Sequence, residues 1–176
     1  MEENLETHTI FQVDVLKGKS SINIDGLADL LLEHFDHRLN EDPTTPLYED
    51  SFCPDSPIID SIVEELEDSF NRLTGGSIEL EEKWSQIHKP QMSTNRHHHY
   101  PADVAAVYYV SVPKGSGQLC FYHEYNKFNP HVIKYKPEEK TFLLFPGLLE
   151  HSVSRNLSST DRISLSFNFK LKDNKK

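Results

Sequence analysis

With 176 residues, 36% of them hydrophobic and 26% charged, the chain is long enough for one domain with a real core. A net charge of -10 excludes a protein that works mainly by gripping phosphate backbones, so duplex nucleic acid is not an expected partner. No apolar run approaches the roughly 18 residues of a membrane span; Met1 to Thr9 is acidic where a targeting peptide would be basic, and Cys53 and Cys120 stand far apart, which together predict a soluble cytoplasmic protein with reduced thiols.

Thr9 to Leu16 is β-branched and partly alternating, and Lys17-Gly18-Lys19 should end it as a short opening strand. Asp25 then suits a helix cap, with Leu27, Leu30, Leu31, Phe35 and Leu39 at helical spacing. Asn40 to Pro57, rich in proline and without periodicity, reads as a surface loop. Ser56-Pro57 supplies an N-cap and a first-turn proline for a second helix, whose apolar face runs through Ile58, Ile59, Ile62, Val63, Leu66, Phe70 and Leu73 until Gly75-Gly76 stops it.

From Ser77 onward the pattern is β. Strands are expected over Ile78 to Ile87, Val104 to Val112, Gln118 to His123, His131 to Tyr135, Thr141 to Phe145 and Arg162 to Phe169, divided by Pro- and Gly-rich turns. Gly115-Ser116-Gly117 is one such turn and lacks the lysine of a phosphate loop, while Cys120 sits in a strand as a core residue. The predicted architecture is mainly β, a sandwich with helices on one outer face: a helical support layer over 1–76, a β core over 77–170 and a tail over 171–176, forming one domain. In the last strand Arg162, Ser164, Ser166 and Asn168 alternate with Ile163, Leu165, Phe167 and Phe169. If the apolar face lies under the helices, Arg162 points between the sheets, where its charge needs an anionic partner.

Three histidines stand together in Asn95-Arg96-His97-His98-His99-Tyr100-Pro101-Ala102-Asp103. In extended chain His97 and His99 project to one side and His98 to the other, so His97 and His99 form half of a metal clamp. The strand and Pro146-Gly147 turn before His151 return a third imidazole, and Arg162 with Ser164 offers a fork and a hydroxyl for a carboxylate. Imidazoles suit zinc, copper, nickel and iron alike, so ligand chemistry alone does not choose the metal.

His97-x-His99, Val107-Tyr108-Tyr109-Val110, the run from Leu144 to Val153, and Arg162-Ile163-Ser164-Leu165-Ser166-Phe167-Asn168 resemble the 2-oxoglutarate- and iron(II)-dependent oxygenase superfamily, and more narrowly a group of such oxygenases in bacteria and phages. The resemblance implies a double-stranded β-helix, or jelly roll, in which His97 and His151 bind Fe(II) and Arg162 with Ser164 holds the distal carboxylate of 2-oxoglutarate. It also implies a dioxygenase reaction, a hydroxylation, that consumes O2 and 2-oxoglutarate to oxidise an unidentified primary substrate.

Most of that superfamily has His-x-Asp or His-x-Glu where this chain has His97-x-His99. The third ligand is therefore either His99 itself or Asp103, returned across the Tyr100-Pro101-Ala102 turn. His97-x-His99-x3-Asp103 with a later His151 also approximates the metal pattern of cupins, which need no 2-oxoglutarate; a binding module that has lost catalysis is a further alternative. Arg162-x-Ser164 favours the oxygenase. Trp84, Tyr108, Tyr109 and Tyr122 are the candidate pocket residues, and the loops Asn40 to Pro57 and Tyr125 to Pro130 are where substrate choice is expected to lie.

Overall fold

The computed structural model describes residues 12–41, 53–123 and 131–172, the side chains of 36–41 excepted. Residues 9–11 of the expected first strand, most of the Asn40 to Pro57 loop and the Tyr125 to Pro130 loop lie outside this set. Nine strands are described: β1 (Leu16–Lys19), β2 (Ile78–His88), β3 (Thr94–His97), β4 (Val104–Ser111), β5 (Leu119–His123), β6 (His131–Tyr135), β7 (Thr141–Pro146), β8 (His151–Val153) and β9 (Arg162–Leu171). They form an antiparallel five-stranded sheet, β1-β7-β4-β9-β2, facing a four-stranded one, β3-β8-β5-β6. Helices α1 (Leu27–Glu41) and α2 (Pro57–Thr74) pack on the outer face of the larger sheet. This is the mainly β, double-stranded β-helix architecture that the sequence predicts.

The first strand begins where it was expected to end. Gly18 pairs with Phe142, whose ring lies across the glycine, and a Cβ there would fall 2.1 Å from it. A residue that looks like a strand breaker is thus the one that lets an aromatic ring cover the strand. Helix α2 starts at Pro57 as expected, but Ser56 makes no side-chain cap bond; Gly75 closes the helix with φ at 72° and its N–H on the Asn71 carbonyl. The last strand runs to Leu171, two residues beyond its predicted end and one into the predicted tail.

Strand β9 sits between β4 and β2 and has two unlike faces. Ile163, Leu165, Phe167 and Phe169 join Leu27, Leu31, Ile59, Ile62 and Leu66 in the main core beneath the helices. A smaller apolar cluster of Ala105, Leu119, Phe121, Leu143, Phe145 and Val153 lies between the sheets, alongside the polar face of β9.

A bulge in β2 decides what else joins that polar face. Ile78 and Leu80 pair with Leu171 and Phe169 on the helix side, and the register then slips between Leu80 and Glu82. One extra residue reverses the parity, so Trp84, Gln86 and His88 pair with Ser166, Ser164 and Arg162 on the inner side while Ile87 stays in the core. Deleting Glu81 leaves Leu80 with Phe169 and Glu82 with Asn168 as consecutive pairs, so both faces are kept, whereas inserting an alanine after Lys83 should put either the Ile78 pair or the Trp84 group on the wrong face. Denaturant unfolding should show a loss above about 3 kcal/mol for the insertion, whereas Glu81→Gln, at an exposed position, should stay within about 0.5 kcal/mol of the parent.

Candidate active site

Two short strands place the first pair of imidazoles. β3 pairs with β8 so that His97 lies directly opposite His151, and their ring centroids are 4.3 Å apart. His99 follows β3 in a loop held by the Pro146-Gly147 turn: the His99 N–H donates to the Gly147 carbonyl at 2.7 Å, and the Gly147 N–H to the Asp103 carbonyl at 2.9 Å. A Cβ on Gly147 would sit 2.1 Å from the Ala102 carbonyl oxygen, so only glycine lets the turn approach.

The His97, His99 and His151 ligand atoms all lie within 4.8 Å of one another, and His99 Nε2 is 3.1 Å from His151 Nε2. His97 Nδ1 meets the Asn95 carbonyl, and His151 Nδ1 the Leu149 carbonyl, each at 2.8 Å. A carbonyl only accepts, so both Nδ1 atoms carry hydrogen and both Nε2 lone pairs are left for a cation. Burial, reinforced by the neighbouring His97, lowers His99 to about 4; burial first and then the other imidazoles lower His151 to about 3. Both are neutral near pH 7, the form that ligates. Trp84 stacks on His99 at 5.6 Å, and Phe145 meets His151 edge-on at 4.9 Å.

Of the two candidates for the third ligand, the structure brings His99 into this group and not Asp103. The Asp103 carboxylate instead accepts the Leu171 N–H at 3.0 Å, at the far end of β9. His98 is exposed and accepts the Tyr100 N–H.

Beyond the imidazoles, the inner face carries Tyr109, Arg162, Ser164 and Ser166. Arg162 is 2% exposed. It donates to His88 Nδ1 at 3.0 Å and, over a longer 3.4 Å, to the Ser116 carbonyl, while its Nε is buried with no hydrogen-bond partner among the described residues. None of these neighbours is an anion. Burial pushes the guanidinium down from its ordinary value and Tyr109 up to about 12, so Tyr109 presents a neutral hydroxyl.

Two of the four expected pocket aromatics lie elsewhere. Tyr108 is fully buried in the core under the helices, because β4 alternates and its neighbour Tyr109 takes the inner face. Tyr122 is on the outer face of the smaller sheet, bonded to Ser152 and covered by the Arg96 guanidinium 4.4 Å from its ring centre. Trp84 lines both the inner space, about 30 Å³, and a cavity of about 600 Å³ that opens between β2 and β3 over His97 and His99.

Two residues had no signal in the sequence. His88 ends β2 beside Arg162, and Asn156, fully buried, donates from Nδ2 to the His88 carbonyl at 2.7 Å and to the Thr160 carbonyl at 2.9 Å. Asn156 pins the β8–β9 loop to the end of β2. Only long-range register reveals either role.

Residues 82–168, just under half of the chain and containing the whole constellation, match the family described as "Putative 2OG-Fe(II) oxygenase". The fold is similar to a prolyl-4-hydroxylase of Pseudomonas putida (18% identity, 90% of this chain and 88% of that one, TM-score 0.58). It is also similar to a viral collagen prolyl hydroxylase from Paramecium bursaria Chlorella virus-1 (18%, 97% and 98%, 0.60). A third similar fold is SnoN, a non-heme alpha-ketoglutarate-dependent epimerase from nogalamycin biosynthesis (14%, 88% and 76%, 0.64). Comparison with curated proteins gave no match. At these identities the solved structures establish the fold, a double-stranded β-helix. With the family match, residues 82–168 are similar to the 2-oxoglutarate- and iron(II)-dependent oxygenases, oxidoreductases with Fe(II) as cofactor and 2-oxoglutarate as cosubstrate.

Because Gly147 clamps the loop carrying His99, Gly147→Ala should cost about 1–3 kcal/mol in denaturant unfolding. The same variant should bind divalent metal more weakly by calorimetry.

Proposed function

We propose that the enzyme is a hydroxylase in which His97, His99 and His151 hold Fe(II) and Arg162 with Ser164 holds the distal carboxylate of 2-oxoglutarate. The observation that carries this is a buried guanidinium with no anionic partner among the described residues, sharing one inner face with three converging imidazoles. An unpaired buried charge costs several kcal/mol, and a ligand carboxylate removes that cost. The cupin and binding-module alternatives leave the Arg162 charge unexplained, and the family match does not favour them.

The residues fit the group they would bind. Three neutral imidazoles suit Fe(II) and leave its double charge undiminished, which favours an anionic chelator. Iron held there would supply the redox chemistry of a reaction that consumes O2 and 2-oxoglutarate, gives succinate and CO2, and places the second oxygen atom on the substrate. The chain's own contributions are positional. Arg162 and Ser164 set the depth of the diacid, Tyr109 adds a neutral donor, and Phe145 and Trp84 keep water from the imidazoles. The inner space of about 30 Å³ is walled in part by the side chains of Trp84 and Gln86, which must swing aside to admit a five-carbon diacid.

The primary substrate would enter through the cavity of about 600 Å³, whose walls include Phe35, Trp84, Ile87 and Met92 beside polar Gln86 and Asn95. We propose further that the chain acts as one domain in the cytoplasm; among the described residues no helix is long and apolar enough to cross a membrane. The charge of -10 makes duplex nucleic acid a poor fit.

Adding 2-oxoglutarate to the anaerobic Fe(II) protein should give a weak visible charge-transfer band, and admitting O2 should yield succinate. Arg162→Ala should weaken 2-oxoglutarate about 100-fold, the loss of charge-assisted hydrogen bonds. Absence of both band and succinate in the parent would overturn the reading. For the ligand set, anaerobic Fe(II) titration of His97→Ala, His99→Ala and His151→Ala should show losses above about 100-fold, beyond what changing a residue that only orients a ligand causes. Asp103→Ala should bind within about threefold of the parent, and a loss equal to that of His99→Ala would exclude His99 as the third ligand.

A further inference from the structure

His88 is 4% exposed and is the register partner of Arg162 on the inner face. Arg162 donates to its Nδ1 at 3.0 Å. A guanidinium has no lone pair to offer, so Nδ1 is the acceptor and the ring proton sits on Nε2. Nε2 lies 2.7 Å from Thr94 Oγ1 and donates to it. Burial, and then the charge of Arg162, lower the imidazole to about 3, so it is neutral near pH 7. Its carbonyl is fixed independently by Asn156.

Among the described residues the other holds on Arg162 are slight: a 3.4 Å bond to Ser116 and a partnerless Nε. The fork's aim therefore depends on one acceptor. A carboxylate in that place would grip the fork more firmly but would also neutralise it, and a discharged arginine has little left for an incoming diacid. An imidazole with its lone pair turned inward gives orientation without discharge. Thr94 adds a second link, since it stands on β3, the strand that ends in His97. Thus one ring bridges the end of the larger sheet to the metal-bearing strand of the smaller one.

We propose that His88 is a positioning residue for the anion site, a neutral acceptor that aims the Arg162 fork at 2-oxoglutarate while leaving its charge available. The inference rests on the reading of Arg162 given above. It does not require His88 to touch 2-oxoglutarate.

The test is calorimetric titration of 2-oxoglutarate into the full chain loaded anaerobically with Mn(II), alongside thermal melts of each variant. His88→Asn places an amide oxygen near the position of Nδ1 and should bind within about threefold of the parent. His88→Gln reaches the position of Nε2 and Thr94 but loses the acceptor, and should bind about tenfold or more weakly. His88→Asp should approach the loss seen in Arg162→Ala. Equal binding by the Asn and Gln variants, or parent-like binding by the Asp variant, overturns the proposal while the parent still binds. No binding by the parent, or none lost in Arg162→Ala, overturns the reading of Arg162 and the proposal with it. Independently of any ligand or variant, the nitrogen-15 spectrum of the parent should show His88 as the Nε2–H tautomer, and an Nδ1–H form would refute it.

Discussion

The two-residue period of β9 is the constraint on which the molecule depends. Its odd-numbered side chains, Ile163 to Phe169, are at most 2% exposed and form the floor under both helices. Its even-numbered side chains, Arg162, Ser164 and Ser166, line the inner space. Because β9 is paired on both sides, β4 and β2 inherit this division through the register. A slip of one residue would send Arg162 into the apolar layer and a phenylalanine into the site. Core stability and the chemical face are thus two sides of one strand.

The electrostatics of that face are unlike those of the whole chain. The molecule is acidic overall, yet its interior holds an unneutralised guanidinium beside imidazoles that burial keeps uncharged. Such an interior is costly alone and would become favourable on the proposed binding of a cation and a dianion together. Surface charge does not oppose this strongly, since screening confines exposed charges to about 8 Å at physiological salt. With His99 standing in the imidazole group in place of a carboxylate, no carboxylate of that group would offset a dication held there.

Much of this was legible in the amino-acid order, where local chemistry decides. The limits of α2 follow from Pro57 and Gly75, the faces of β9 from alternation, and the imidazole group from the spacing of His97 and His99 before the return at His151. What escaped depends on the third dimension. A bulge is one unremarkable glutamate in sequence, yet it turns Trp84, Gln86 and His88 inward. Tyr108 and Tyr109 are chemically alike, and only the parity of β4 separates core from cavity. β8 is three residues long and carries no periodicity, so its pairing opposite β3 could not be foreseen. Asp103, a chemically reasonable ligand, is claimed by the backbone of β9.

The position of β2 has a consequence for the protein's life among other molecules. At eleven residues it is the longest of the described strands and stands at the edge of its sheet, a template on which a stray chain could build. The glutamates at 79, 81 and 82 and Lys83 crowd that edge, and the bulge among them bends the strand away from a flat mating surface. The same irregularity that points Trp84 inward therefore guards against self-association and aggregation, so that a flattened, neutral β2 would endanger solubility before it altered chemistry.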